Sequence, residues 1–262
     1  MSKPAARDTA DILGVEVDRL DLDSAVARVE ALIADGGRHQ VVVLPVNSIM
    51  MARRDPEFRA ACRRASLVLP DGVPLLWASR LLGRPIPGRV AGSDLFLKLS
   101  ETAAAKGYTC FFMGSTPDVL ERLSKALRQR CPGLRIAGAF SPPIRPEHTA
   151  ETNAEIAQRI SRARPDILWV AMGAPKQEKW IHDNLNALDA KVVIGVGAVF
   201  DMASGRVKRA PHWMQRAGFE WFHRFLKEPT RLFKRYFIEA APFFPLLLMQ
   251  GLRQAARRRP RR

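Results

Sequence analysis

The sequence predicts an α/β protein: a doubly wound, mostly parallel sheet followed by a basic, helical C-terminal appendage. Three observations predict it. Short apolar runs alternate with segments of helical spacing about six times between residues 12 and 199. Several runs, among them residues 41–44, 109–113 and 167–172, are continuous rather than alternating, as strands buried on both faces must be. Past residue 205 the composition changes. Residues 206–262 carry 15 basic and 3 acidic residues, a net of +12, whereas the preceding 205 carry 27 and 23, a net of +4.

Taken in order, residues 12–17 read as a strand. Residues 23–34 read as a helix, with apolar side chains at 25, 26, 29, 32 and 33 on one stripe. Residues 41–44 form a strand, and 48–65 a helix with Pro56 as its break point. Residues 67–69 form a short strand ending in the turn Pro70-Asp71-Gly72. Residues 73–82 and 93–106 are helical, and 109–113 are a strand. Residues 117–130 form a helix with Ser115 or Thr116 as N-cap and Pro117 in the first turn. A strand at 134–139, a helix at 147–164, a strand at 167–172, a helix at 176–188 and a last strand at 192–199 complete the body. Parallel strands need crossover connections, and these are right-handed, which makes the sheet Rossmann-like. The chain divides into an α/β catalytic domain, 1–205, and an appendage, 206–262. In the appendage 213–227 and 229–238 read as helices. There Arg224, Arg231, Lys234 and Arg235 interleave with Trp221, Phe225, Phe233 and Phe237 on adjoining faces. The terminal RQAARRRPRR reads as a disordered basic tail.

Hydrophobic residues are 47% and charged residues 26%, which excludes wholesale disorder and fibrous repeats. Cys62, Cys110 and Cys131 are far apart and form no CxxC, as expected of buried thiols in a reducing compartment. The opening MSKPAARDTADILG lacks a charged-then-apolar signal pattern. The most apolar stretch, residues 240–249, is ten long and holds Pro242 and Pro245, whereas a membrane span takes about 20 residues. The expectation is a cytoplasmic protein, peripheral on the inner face of the membrane. The basic appendage implies an anionic partner: a membrane surface, a phosphate-bearing ligand or nucleic acid. Tryptophan and phenylalanine lodge at headgroup level while arginine meets phosphates. A nucleic-acid groove has similar chemistry. The run FFPLLLM at 243–249 suits acyl chains better than bases and favours the membrane.

In a doubly wound sheet ligands bind beyond the carboxyl ends of the strands. Those positions hold Asn47, Asp71-Gly72, Gly114-Ser115-Thr116, Gly173-Ala174-Pro175 and Phe200-Asp201. Gly114-Ser115 and Gly173 each lead from a strand into a helix, where free amides and the helix dipole suit a diphosphate. Neither is a Walker loop, and Gly195-Val196-Gly197 lacks the third glycine of GxGxxG. Each alone reads as a plain turn; two in one sheet favour a nucleotide. Asp71 would act as general base toward a hydroxyl, although an Asp-Gly pair by itself reads as a turn. Asp18, Asp21 and Asp23 precede a helix and read as caps. The five histidines show no ligand spacing, so neither metal nor cofactor is expected. A nucleotide-cofactor-dependent oxidoreductase would need a glycine-rich first turn, where this chain has Asp18-Arg19-Leu20-Asp21. A non-catalytic, basic nucleic-acid-binding protein would explain the appendage but leave the segments of Asp71, Arg89 and Gln177 without a role.

Six strings in order resemble the WecG/TagA/CpsF glycosyltransferase family, over residues 12 to 236. They are Asn47 after its strand, Pro70-Asp71-Gly72-Val73-Pro74, and Arg89-Val90-Ala91-Gly92-Ser93-Asp94. Next come the run from Met172 through Gln177 and Glu178 to Trp180, and the run from Gly195 through Gly197 to Phe200-Asp201, with Gly205. Arg209-Ala210-Pro211 with Trp213, Glu220-Trp221, Arg224, Glu228-Pro229 with Arg231, and Tyr236 complete the likeness. The resemblance implies an inverting, metal-independent enzyme of surface polysaccharide biosynthesis. It would move N-acetylmannosamine, its uronic acid or glucose from a UDP-sugar to a polyprenyl-diphosphate-linked sugar. It implies Asp71 as base, and Asn47, Arg89 and Gln177 along the sugar and diphosphate pocket. Gly72, Gly114, Ser115, Gly173, Gly197 and Asp201 would bind substrate. The appendage would dock on an anionic membrane and bring Arg224 or Arg231 over the site; a homo-oligomer is compatible. Two positions depart from the pattern. Pro45 stands where the family often has threonine, and Lys234 where arginine is expected, and lysine cannot make a bidentate fork.

Overall fold

The computed structural model describes residues 7–143, 148–216 and 218–258. The chain opens with an antiparallel hairpin, β1 (Thr9–Ile12) and β2 (Val15–Asp18). Six further strands follow: β3 (His39–Leu44), β4 (Leu67–Pro70), β5 (Thr109–Gly114), β6 (Arg135–Phe140), β7 (Ile167–Ala171) and β8 (Val192–Gly195). They form one all-parallel sheet in the order β4-β3-β8-β7-β5-β6. Between and after them run α1 (Leu22–Ala34), α2 (Val46–Arg54), α3 (Pro56–Arg64), α4 (Val73–Leu81), α5 (Gly92–Lys106), α6 (Pro117–Arg130), α7 (Ala150–Ala163), α8 (Lys176–Asn184) and α9 (Val199–Ala203). The appendage contributes α10 (His212–Arg216), α11 (Glu220–Lys227), α12 (Pro229–Phe233), a π-helical turn (Lys234–Glu239) and α13 (Phe243–Arg258).

The strands are apolar on both faces because both faces are covered. Val41, Val43, Phe112, Trp169 and Ile194 pack with α1, α5, α6 and α9. Val42, Leu44 and Val68 pack with the hairpin and α2 to α4, while Leu168, Val170 and Val193 pack with α7 and α8. Phe96 and Trp169 meet edge to face at 4.8 Å in the first of these layers. The strand order has a consequence for ligands. From β5 the chain turns toward β6, and from β7 it turns the other way, toward β8. Connections that diverge leave a crevice between the two carboxyl ends. There a side chain at Gly114 would meet the Ala171 carbonyl oxygen at 2.4 Å, and its φ of +107° is itself a glycine conformation.

The free edge of β4 is covered by the hairpin. Asp18 accepts a hydrogen bond from the Val68 amide at 2.6 Å, and Arg7 forks the same carboxylate while donating to Ala65 O at 2.8 Å. An edge amide is thus satisfied by a side chain instead of a further strand. Asp21 caps α1 by accepting from Ser24 N at 2.9 Å, and Asp23 pairs with Lys98, so all three aspartates of that cluster have structural partners.

Several expected elements differ. Residues 12–17 are not one strand, because Leu13 and Gly14 take positive φ, +53° and +87°, and turn the chain back. Leu13 is buried, which hides the turn from a hydropathy reading. The last strand ends at Gly195; Gly197, at φ +54°, turns the chain into α9. Thr149 caps α7, so that helix starts at Ala150, and Glu147, its expected first residue, lies outside the described residues. Thr116 stands at the N-cap of α6 but its side chain makes no capping bond. The helix expected over 213–227 is interrupted before α11, with Gly218 at φ +79°. The terminal basic stretch is helical as far as Arg258, and residues 259–262 lie outside the described residues. The run at 243–249 is split between two environments. Phe243 and Leu247 are buried with Ile12, Leu75 and Phe58, while Phe244, Leu248 and Met249 are exposed.

Asp18→Ala would leave the Val68 amide without an acceptor and the Arg7 guanidinium with Ala65 O alone. The expected cost is about 3 kcal/mol of stability by chemical denaturation, from an unsatisfied buried donor and a broken, partly buried pair.

Candidate active site

Five strand ends converge on one edge of the sheet, and Asp71 stands at the β4 end. Its amide donates to Leu44 O at 3.0 Å, which prolongs the ladder by one residue. Val90 N donates to Pro70 O at 2.8 Å, which draws Arg89 alongside. Gly72, at φ +119°, then turns the chain into α4. Asp71 is half-buried, and among the described residues no hydrogen bond is made to its carboxylate. Burial pushes its pKa up from 3.8 to about 6; Arg89 and Arg224 pull it down, and Glu220 and Asp94 push it up.

Arg89 is not an isolated cation. Its Nη2 lies 3.3 Å from Asp94 Oδ2 and its Nη1 lies 3.5 Å from Glu220 Oε2. Arg209 grips the same two carboxylates, with Nη1 donating to Asp94 Oδ1 at 2.6 Å and Nε to Glu220 Oε1 at 2.8 Å. The four side chains close a ring of alternating charge beside Asp71. Burial works against the Arg209 cation, but its hydrogen bonds to Glu220 and Asp94 outweigh that and hold its pKa above the usual arginine value.

The glycine turns are tied together by Gln177, which is 4% exposed. Its Oε1 accepts from Gly173 N and Gly197 N, each at 3.0 Å, and its Nε2 donates to Glu178 Oε1 at 2.8 Å. Gln177 therefore shapes the turns after β7 and β8 from beneath. Ser115, at φ +56°, donates its amide to Ala171 O at 3.0 Å and receives the Ser141 hydroxyl on its carbonyl at 2.7 Å. Gly114 and Ser115 thereby border the crevice opposite Gly173. Asn47 is buried in the first turn of α2, three residues past β3. Pro45 caps that helix with no side-chain bond, so the hydroxyl that threonine would bring has no replacement at this position. Asp201 lies in α9, with Arg206 Nη1 3.4 Å from its carboxylate. Arg224, on α11, is half-buried and reaches Asp71 through its field. Arg231 lies on α12 and its side chain is outside the described residues. Among the described residues no group of three His, Cys, Asp or Glu side chains is arranged as a metal set would be.

Asp94, Arg209 and Glu220 are the members of the site that sequence reasoning did not select. Each stands in one of the recognisable strings, yet a pairing over 115 residues, as between Arg209 and Asp94, leaves no local spacing to read. A Lys176–His148 contact of 3.4 Å was also not anticipated; burial lowers the pKa of both, and for His148 the lysine adds to it.

Comparison with known proteins bears on this arrangement. Residues 10–257 match the model of the Glycosyl transferase WecG/TagA/CpsF family. Three relatives share the name N-acetylglucosaminyldiphosphoundecaprenol N-acetyl-beta-D-mannosaminyltransferase. One from Bacillus spizizenii is 32% identical over 212 residues, 80% of each chain. One from Bacillus subtilis is 36% identical over 180 residues, 69% of this chain and 68% of the relative. One from Staphylococcus aureus strain MW2 is 26% identical over 249 residues, 93% of each.

Gln177→Ala would strand two partly buried glycine amides and a carboxylate oxygen. We expect a loss of about 2–4 kcal/mol in unfolding experiments, with faster hydrogen exchange at Gly173 and Gly197.

Proposed function

We infer that this chain, which belongs to the glycosyl transferase WecG/TagA/CpsF family, transfers N-acetylmannosamine from a UDP-sugar to a polyprenyl-diphosphate-linked N-acetylglucosamine. The sugar and acceptor are those in the names of its relatives. The observation that carries the reading is Asp71: a lone, half-buried carboxylate at a strand end, with no hydrogen bond made to it among the described residues and a pKa near 6. Such a group is ionised at neutral pH yet basic enough to accept a proton.

In this mechanism Asp71 takes the proton of the acceptor hydroxyl as its oxygen attacks the anomeric carbon. The bond from that carbon to the diphosphate oxygen breaks on the opposite face. The electron pair leaves with UDP, and the configuration inverts. The leaving diphosphate needs positive potential where its charge grows. The turns at Gly114-Ser115 and Gly173 flank the crevice and offer backbone amides at helix starts. Arg89 and Arg224 would supply guanidinium charge, with Arg231 a further candidate. Asn47 and Asp201 would line the substrate, and Gln177 would hold the glycine turns in register beneath it.

The same reading places residues 206–262 against an anionic membrane. Trp213, Phe219, Trp221 and Leu226 are exposed beside Arg224 and Lys227, and Trp77 and Leu81 of α4 add exposed apolar surface from the body. Aromatic and basic residues together suit the headgroup region, where a lipid-linked acceptor is held. Among the described residues no helix is long and apolar enough to cross a membrane. Peripheral attachment at the cytoplasmic face follows as the proposed location.

The experiment is UDP release from UDP-N-acetylmannosamine with a polyprenyl-diphosphate-linked N-acetylglucosamine acceptor. Asp71→Asn should lower kcat by about 10²–10⁴, and in the native chain kcat/KM should fall as pH drops through about 6. Near-normal turnover by the variant would remove the base role. The same carboxyl also links pH to stability. Its folded pKa lies above its unfolded one, so the native state retains a proton that the unfolded chain releases. Stability is therefore full below 3.8 and declines as pH rises to about 6. At pH 7 Asp71→Asn should consequently be more stable than native, by roughly 1 kcal/mol or about 2–4 °C in a thermal melt.

A further inference from the structure

The ring beside Asp71 joins two parts of the chain, and each part contributes one arginine and one carboxylate. Arg89 and Asp94 belong to the segment that enters α5; Arg209 and Glu220 belong to the appendage. Two of the four contacts stay within a part, Arg89–Asp94 at 3.3 Å and Arg209–Glu220 at 2.8 Å. The other two cross between the parts, Arg89–Glu220 at 3.5 Å and Arg209–Asp94 at 2.6 Å. The ring closes only when the appendage lies on the body. An independent contact marks the same seat. At Gly218, just before α11, a side chain would meet Val73 Cγ2 at 2.7 Å, so the backbone there is pressed against the residue that follows Gly72. The four side chains are between 16% and 30% exposed, which is dry enough for the pairs to matter and wet enough for them to open.

We propose that this ring is a latch: Arg209 and Glu220 are positioning residues that seat α11 over Asp71 and, by keeping the ring neutral, set the basicity of that carboxylate. The proposal rests on the reading of Asp71 as the general base. Among the described residues, the charged groups that act on Asp71 are Arg89 and Asp94 from the body and Glu220 and Arg224 from α11. Two cations and two anions thus surround it; three of them are ring members, and the fourth member, Arg209, acts through Asp94 and Glu220, whose charge it neutralises, so removing one ring charge of either sign tips the balance. Glu220→Gln leaves the ring at +1 and favours the Asp71 carboxylate. Arg209→Gln leaves it at −1 and favours the protonated form. Both substitutions open the latch, but they move the base in opposite directions. A role confined to holding the fold together has no such sign.

The test uses the full-length chain without substrate. The Asp71 carboxyl is titrated by carbon NMR, and amide hydrogen exchange is followed across residues 209–233. Glu220→Gln should lower the Asp71 midpoint and Arg209→Gln should raise it, each by roughly half a pH unit or more. Exchange in α11 should quicken at least about tenfold in both variants while β5, β7 and β8 stay protected. Arg209→Lys, which keeps the charge but loses the fork, should leave the midpoint in place and still loosen α11. Midpoints that move together or stay put, or α11 exchange that is unchanged, overturn the proposal. If Arg209→Gln does not fold, Arg89→Gln replaces it; it also leaves the ring at −1, so it must raise the midpoint, and any other result overturns the latch. None of these readouts needs turnover, so a failed UDP-release assay sinks the glycosyl-transfer reading separately.

Discussion

A parallel ladder delivers every strand's carboxyl end to one edge, and this constraint organises the whole molecule. Because β3, β4, β5, β7 and β8 run the same way, Asn47, Asp71, Gly114, Gly173 and Gly197 emerge side by side from segments far apart in sequence. The sheet interior can then be filled with Val, Ile, Phe and Trp for packing alone. The polar and conformationally special residues collect where the backbone leaves the ladder. The requirement for crossover helices does the rest, since each helix start adds amides that point at the same edge.

Within that frame the site is governed by a balance of charges in a partly dry place. Burial raises the pKa of Asp71 by disfavouring its ionised form, and part of that rise would be offset by Arg89 acting unopposed. Asp94 and Glu220 oppose it, and Arg209 satisfies both carboxylates in turn. In the proposed mechanism the cations that would serve a diphosphate leaving group and the anions that would protect the base therefore belong to one network. Asp71, the proposed proton acceptor, stays outside the network's hydrogen bonds among the described residues.

The fold was legible because its signals are local. Continuous apolar runs located β5 and β7 within a residue, and Pro117 placed the start of α6. The readings failed where a turn is made from buried residues, as at Leu13-Gly14, or where tertiary contact overrides composition. The basic terminal stretch is helical because Phe243 and Leu247 anchor α13, a fact that its arginines do not advertise. In the site, Asp71 and the glycine turns followed from position at strand ends. Gln177 was selected as a pocket residue, yet its amide is committed to Gly173, Gly197 and Glu178. The partnership of Arg209 with Asp94 was invisible because ion pairs between distant segments leave no period in the sequence.

The anchoring of α13 also orders events during synthesis. Gln250 donates to Asp11 O at 2.9 Å and accepts from Leu13 N at 2.9 Å, so the last described helix completes the first hairpin. A nascent chain still lacking residue 243 exposes the apolar layer beneath β1 and β2, because Phe243 and Leu247 are part of its lid. The strands of the hairpin are made well before the helix that seals them. The ribosome must release residue 247 before that layer is dry, which makes the interval between synthesis of the hairpin and of α13 a period of exposure to chaperones and to aggregation.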